Sequence, residues 1–242
     1  MTYPAIIFWC LAAWALLSRG PAIYYLFFAG WSFEMLSVIP AQDIGVSLTP
    51  GWISATLLIF KVFVQAGPGR IVRILLHPVC FLPLLASAIY GTVAAFLMPR
   101  IFGGHVLVFA VRATSASRSP VFLQPATSNI AQSAYYILSI LMLTAAYIIC
   151  SDPVKRVHFF KAFVFGALMA IGTGLLDLTM GLAHLGALLK PFRTANYALI
   201  DGAEILGVRR IIGLTPEASS YAGIVYAFAV TLSLVPIPST YF

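Results

Sequence analysis

The chain is a succession of long apolar runs separated by short polar breaks. Seven runs stand out, over residues 5–17, 22–39, 51–66, 78–98, 130–150, 159–180 and 216–235. They are continuous and do not alternate residue by residue, so the pattern predicts helices and argues against a barrel of strands. A crossing of a hydrocarbon core about 30 Å thick takes about 20 apolar residues, and only the first run is clearly short of that. Helices also satisfy their own backbone hydrogen bonds, as a chain in lipid must. The expected fold class is therefore all-α: a polytopic transmembrane helical bundle of about seven spans, a single domain over residues 1–242, with two longer outer loops.

Punctuation supports these boundaries. Ser18-Arg19-Gly20-Pro21 closes the first run and Gly67-Pro68-Gly69 the third. Asn129, with Gln132 three residues on, reads as the N-cap and capping box of the fifth. Thr215-Pro216-Glu217 reads as the opening of the seventh: a cap, a proline at the first helical position and an acid in the first turn. Residues 99–128 form one long connection, Ser- and Arg-rich over 112–120. Residues 181–214 form the other, in which 196–208 is expected to make an amphipathic helix on the membrane surface, with Asp201 and Glu204 on one face.

Composition agrees. The chain is 61% hydrophobic and only 9% charged, with a mean hydropathy of +0.99, which excludes a water-soluble globular domain of this size. The net charge of +7 lies in the connections. Anionic membrane lipid or a lipid-linked phosphate is thus the expected partner, and nucleic acid is not. The short loops hold Arg19, Arg70, Arg73, Lys155 and Arg156, which places them in the cytoplasm and the long loops outside. The long loops are basic too, but charges close to span ends set orientation most strongly. Cys10, Cys80 and Cys150 have the spacing of neither a metal site nor a disulfide framework, and are expected to be small buried apolar residues.

Two patterns carry candidate chemistry. In the sixth run Ala162, Gly166, Ala170 and Gly174 recur every four residues, a stripe that lets another helix approach closely, so Gly166 and Gly174 are candidate contacts for a helix partner. Asp177 continues that face. It reads either as part of a packing seam or as a site residue in a polar cavity, since an acid inside a span is a site candidate. Glu34 in the second run has the same two readings. Lys61 and Lys161 are expected to snorkel to the interface. The second pattern is Arg209-Arg210-Ile211-Ile212-Gly213-Leu214-Thr215-Pro216-Glu217-Ala218-Ser219. Guanidiniums bind phosphate with paired planar donors, and the free amides of a helix start extend such an anion site. The competing reading is a membrane-face anchor with an ion pair to Glu217. No metal-binding, nucleotide-sugar or glycine-rich phosphate motif is present, so neither cofactor nor metal is expected.

The stretch RRIIGLTPEASSYAGIVYAF resembles the segment leading into a central span of bacterial O-antigen polymerases and O-antigen ligases, where an arginine, a glycine and an acid followed by small residues open a helix. TSNIAQSAYYILSILM is also similar to that group. The resemblance implies glycosyl transfer at the periplasmic face of the inner membrane, from a glycan on undecaprenyl pyrophosphate to an acceptor hydroxyl. Arg209 and Arg210 match the family's arginine, Gly213 its glycine, and Glu217 with Ser219 its acid-and-small pair. This implies Arg209, Arg210 and Glu217 as catalytic residues, and Arg209, Arg210, Gly213 and Ser219 as substrate-binding ones. Asp177 joins the substrate-binding candidates as the acid near the outer face. The family has further spans and a large outer loop in its C-terminal half, so this chain corresponds to the N-terminal half of that architecture. Two alternatives stand beside it: a transporter or permease fragment working through Glu34 and Asp177, and a non-catalytic membrane subunit packing through the small-residue stripe.

Overall fold

The computed structural model describes residues 2–39, 47–109, 120–195, 204–205 and 208–234, the side chains of residues 127, 128, 205, 208 and 209 excepted. The structure is 74% helix and 3% strand. In chain order the helices are α1 (Tyr3–Leu17), α2 (Ala22–Gly30, continued by a 3-10 turn over Trp31–Phe33), α3 (Pro50–Ala66) and α4 (Pro68–Leu75), followed by α5 (Leu82–Ile101), α6 (Thr127–Cys150), α7 (Pro153–Leu182) and α8 (Ala218–Leu234). A 3-10 segment covers Gly186–Phe192. Two minimal antiparallel hairpins pair β1 (Leu107–Val108) with β2 (Val121–Phe122), and β3 (Glu204–Ile205) with β4 (Val208–Arg209).

Among the described residues three helices are long and apolar enough to cross a membrane: Leu82–Ile101, Asn129–Cys150 and Pro153–Leu182. A fourth crossing is counted if α3 and α4, which are separated by a break, form one broken span. The seven spans expected from hydropathy are therefore not confirmed among the described residues. Hydropathy sums composition and is blind to where the backbone turns. The apolar run over 22–39 shows this. Its helix stops at Phe33, and the residues beyond pair their backbone elsewhere: the Met35 amide donates to the Leu214 carbonyl at 2.9 Å and the Val38 amide to the Leu48 carbonyl at 2.9 Å. The Met35 carbonyl in turn accepts from the amides of Thr194 and Ala195. Helix α1 is continuous, but its 15 residues reach only about 22 Å at 1.5 Å per residue.

The chain packs as two compact units, one of residues 1–66 and 145–242, the other of residues 67–144. In the first, α2 is the central element, lying against α1, α3 and α7, with α8 also packed on α7. Its inward face buries Ile23, Tyr24, Phe27 and Phe28. The Phe28 ring meets those of Phe159 and Phe163 at centroid distances of 4.9 and 5.2 Å, and Phe163 meets Phe228 of α8 at 4.9 Å. Such edge-to-face pairs favour a fixed geometry over mere contact. A second layer joins Ala5, Phe8 and Ala12 of α1 to Leu36 and Val38. In the other unit, Ser87 of α5 and Tyr136 of α6 share a hydrogen bond of 2.6 Å.

Several sequence expectations are revised. Helix α7 starts at Pro153, well before 159, because the Asp152 carboxylate accepts from the amides of Val154 and Lys155 at 3.0 and 3.3 Å and Pro153 occupies the first turn. Helix α6 starts at Thr127, so Asn129 lies within its first turn, where its carbonyl accepts from the Ser133 hydroxyl, and is not a cap. Helix α8 starts at Ala218. Thr215 is folded into the preceding turn, its hydroxyl 2.7 Å from the Ile212 carbonyl and 3.0 Å from that of Glu217. The amphipathic helix expected over 196–208 does not run through its C-terminal part, where Glu204–Ile205 pairs with Val208–Arg209. The remainder, including Asp201, lies outside the described residues, as do Arg112, Arg118 and the closing Pro236-Ile237-Pro238. Cys10, Cys80 and Cys150 are exposed on the protein surface rather than buried in it: Cys10 and Cys150 lie on helix faces that point away from the core, and Cys80 lies in the turn before α5.

Candidate functional site

The small-residue stripe of α7 is buried along its length, from Ala162 through Gly166, Ala170 and Gly174 to Asp177. Its neighbours belong to the same chain. A Cβ at Gly166 would come within 2.6 Å of the Phe28 Cβ, and one at Gly174 would overlap the Tyr221 hydroxyl. That hydroxyl donates to the Ala170 carbonyl at 3.0 Å, so Tyr221 of α8 lies flat across α7 where only hydrogen atoms leave room. The close approach for which Gly166 and Gly174 were candidates is thus made by α2 and α8.

Asp177 ends the stripe and is 1% exposed. Its Oδ1 accepts from Arg193 Nη2 at 3.0 Å, and its Oδ2 from the backbone amide of Ile212 at 3.0 Å. Arg193 is itself 8% exposed in its side chain. A carboxylate out of water needs charged and hydrogen-bonding partners on both oxygens, and these two, drawn from the long connection after α7, provide them. The connection leaves α7 through His184, whose φ of +56° is the left-handed conformation that closes many helix C-termini. It returns through Gly213, at φ +59°. A Cβ there would press on the Tyr221 ring at 3.0 Å, so the glycine is needed for fit as well as for conformation. Ile212, Leu214 and Thr215 are fully buried around it.

The turn braced in this way carries the remaining candidates. Arg210, two residues before Ile212, is exposed. Arg209 pairs through its backbone with Glu204 in the β3–β4 hairpin, and its side chain lies outside the description. Glu217 is half-buried and accepts a hydrogen bond from the exposed Ser219 hydroxyl. The structure therefore sets Asp177 beneath the turn as its brace, Gly213 within it, and Arg210, Glu217 and Ser219 along its outer side.

Two cavities border this end of the first unit. An apolar groove of about 630 Å³ runs along α1 and α2, with walls that include Leu11, Trp14, Leu26, Met169 and, at this end, Phe33 and Phe192. Phe192 directly precedes Arg193, so the groove finishes one residue from the Asp177 brace. A smaller cavity of about 460 Å³ is bordered by Glu34, Trp31, Ser220, Ile224 and Thr231. Glu34 thus faces the α2–α8 side, just past the end of the α2 turn.

Arg193 was missed by sequence reasoning, although a lone acid in an apolar helix calls for a cation and Arg193 is among the next basic residues along the chain. The Lys61 ammonium has a structural task that the sequence did not announce. It donates to the carbonyls of Ala15 and Ser18 at 2.8 and 2.6 Å, closing the C-terminal end of α1. No protein-family model matches this sequence, and no curated protein or solved structure matches it either.

Proposed function

We propose that this chain is an integral membrane protein of cell-surface polysaccharide biosynthesis that works on a glycan carried by undecaprenyl pyrophosphate, as O-antigen polymerases and ligases do. The observation that carries the reading is the braced turn: Asp177 ties Ile212 in place, and Arg210 stands exposed two residues away. The apolar groove ending at Phe192 adds to it, because an isoprenoid tail needs an apolar channel that finishes near its phosphates.

In this reading an acceptor hydroxyl attacks the anomeric carbon of the donor glycan. The bond from that carbon to the pyrophosphate oxygen breaks, and the lipid pyrophosphate leaves with the electron pair. Arg210 and Arg209 meet the charge growing on the leaving group, donors fixed in advance being worth more than donors that must reorganise. Glu217, hydrogen-bonded by Ser219, receives the acceptor's proton. The membrane is the bacterial inner membrane, with the turn on the periplasmic side.

The transporter alternative asks Asp177 to exchange an ion or solute, yet both its oxygens are engaged by Arg193 and Ile212. That favours the first reading. The test is the length distribution of surface glycan in cells carrying Arg209→Ala, Arg210→Ala or Asp177→Asn at matched protein levels. Shortened or absent chains in the arginine variants are expected. A phenotype confined to Asp177→Asn would refute the proposal, as would labelling of a cysteine at position 210 from the cytosolic side only.

A further inference from the structure

The other end of the first unit holds a second polar site that the proposed reaction does not use. Four helix ends meet there: the C-terminal ends of α1 and α3 and the N-terminal ends of α2 and α7. Between them lies a pocket of about 250 Å³. Arg19 enters it from the α1–α2 turn, Lys61 and Gln65 from α3, Lys155 and His158 from α7, and Tyr24 from α2.

Three basic side chains, Arg19, Lys61 and Lys155, therefore surround one small hollow. Lys61 is fixed by its two bonds to the end of α1, and Lys155 Nζ sits 3.5 Å from Gln65 Oε1. The nearby acid, Asp152, directs its Oδ1 to the first amides of α7. Like charges held around a concavity repel one another, and an anion between them reverses the sign of that interaction. Arginine and lysine donors together are the usual means of gripping a phosphate. The volume falls below the ~300–1,000 Å³ of sites for drug-sized ligands, which suits a phosphate with a small substituent better than a nucleotide or an oligosaccharide. The ends of apolar helices are also where phospholipid head groups lie.

We infer that this pocket binds a phosphate group between Arg19, Lys61 and Lys155, supplied either by the head group of an anionic phospholipid or by free phosphate. The test uses the full chain purified in neutral detergent and follows its apparent melting temperature against added short-chain phosphatidylglycerol, short-chain phosphatidylcholine or inorganic phosphate. A ligand that binds the folded state raises that temperature, with the logarithm of its concentration once that exceeds the dissociation constant. Phosphatidylglycerol is expected to raise it and phosphatidylcholine to do so far less. Arg19→Ala with Lys155→Ala should weaken the response roughly ten- to a hundredfold, and Lys155→Arg should preserve it. Lys190→Ala, which removes an exposed charge elsewhere, should leave it unchanged. If inorganic phosphate reproduces the shift and competes with the lipid, free phosphate is the source; if only the lipid acts, the head group is. A wild-type response in the Arg19/Lys155 double variant, an equal loss in Lys190→Ala, an equal response to phosphatidylcholine, or no shift with either phosphate source would overturn the inference.

Discussion

Replacing Arg193 by Met tests the brace on which the candidate site depends. The substitution keeps an unbranched side chain but removes the guanidinium that lies 3.0 Å from Asp177 Oδ1. Asp177 is 1% exposed, so it cannot turn to water for compensation. Stripping one member from a buried ion pair costs about 3–5 kcal/mol. At about 2–4 °C per kcal/mol for a chain of this size, that is a fall of about 6–20 °C in melting temperature. Asp177→Asn leaves the opposite charge stranded, though an amide oxygen can still accept from Ile212. The double variant removes both charges and should recover part of the loss, with a coupling of about 0.5–3 kcal/mol. Intrinsic tryptophan fluorescence of the purified chain in neutral detergent provides the readout. An Arg193→Met variant that melts within about 2 °C of the parent would refute the argument. So would a double variant whose loss equals the sum of the single losses.

Other outcomes follow from the same geometry. Gly174→Ala drives a methyl into the Tyr221 hydroxyl and should destabilise by about 1–3 kcal/mol; adding Tyr221→Phe should restore part of that in the same melting assay. Lys61→Met removes two hydrogen bonds to the end of α1. It should cost about 1–3 kcal/mol and speed proteolysis after Arg19. Changing Cys10, Cys80 and Cys150 together to Ser touches only exposed positions. Each change should shift stability by no more than about 0.5 kcal/mol, giving a cysteine-free parent for labelling position 210.

The helical class was legible in the sequence, and so was the presence of helices apolar enough to cross a membrane, because both follow from composition and period. Where the helices stop was not. Residues 35–39 are mostly apolar, yet they are claimed by carbonyls and amides near 48, 194 and 214, and no local pattern announces partners so far along the chain. The α7 stripe was legible down to its residues, since four-residue spacing on a helix is a local fact; that α2 and α8 fill it is not. Asp177 could be picked out as an acid in an apolar run. Its role as a brace depended on Arg193, which sits 16 residues away in a stretch with no periodicity to read. The Asp152–Pro153 start of α7 is the opposite case: the signal was written in two adjacent residues but lost beside a stronger hydropathy boundary at Phe159.

The bonds made by Met35 set a timetable for biosynthesis. Its amide waits for Leu214 and its carbonyl for Thr194 and Ala195, roughly 160–180 residues later on the ribosome. At about 5–20 residues per second, that interval is on the order of ten to thirty seconds. Throughout it, the segment after α2 lacks the backbone partners it has in the finished fold, a state that is costly wherever it meets lipid. An insertase or chaperone that shelters nascent apolar helices should therefore hold this chain until residues 194–214 arrive.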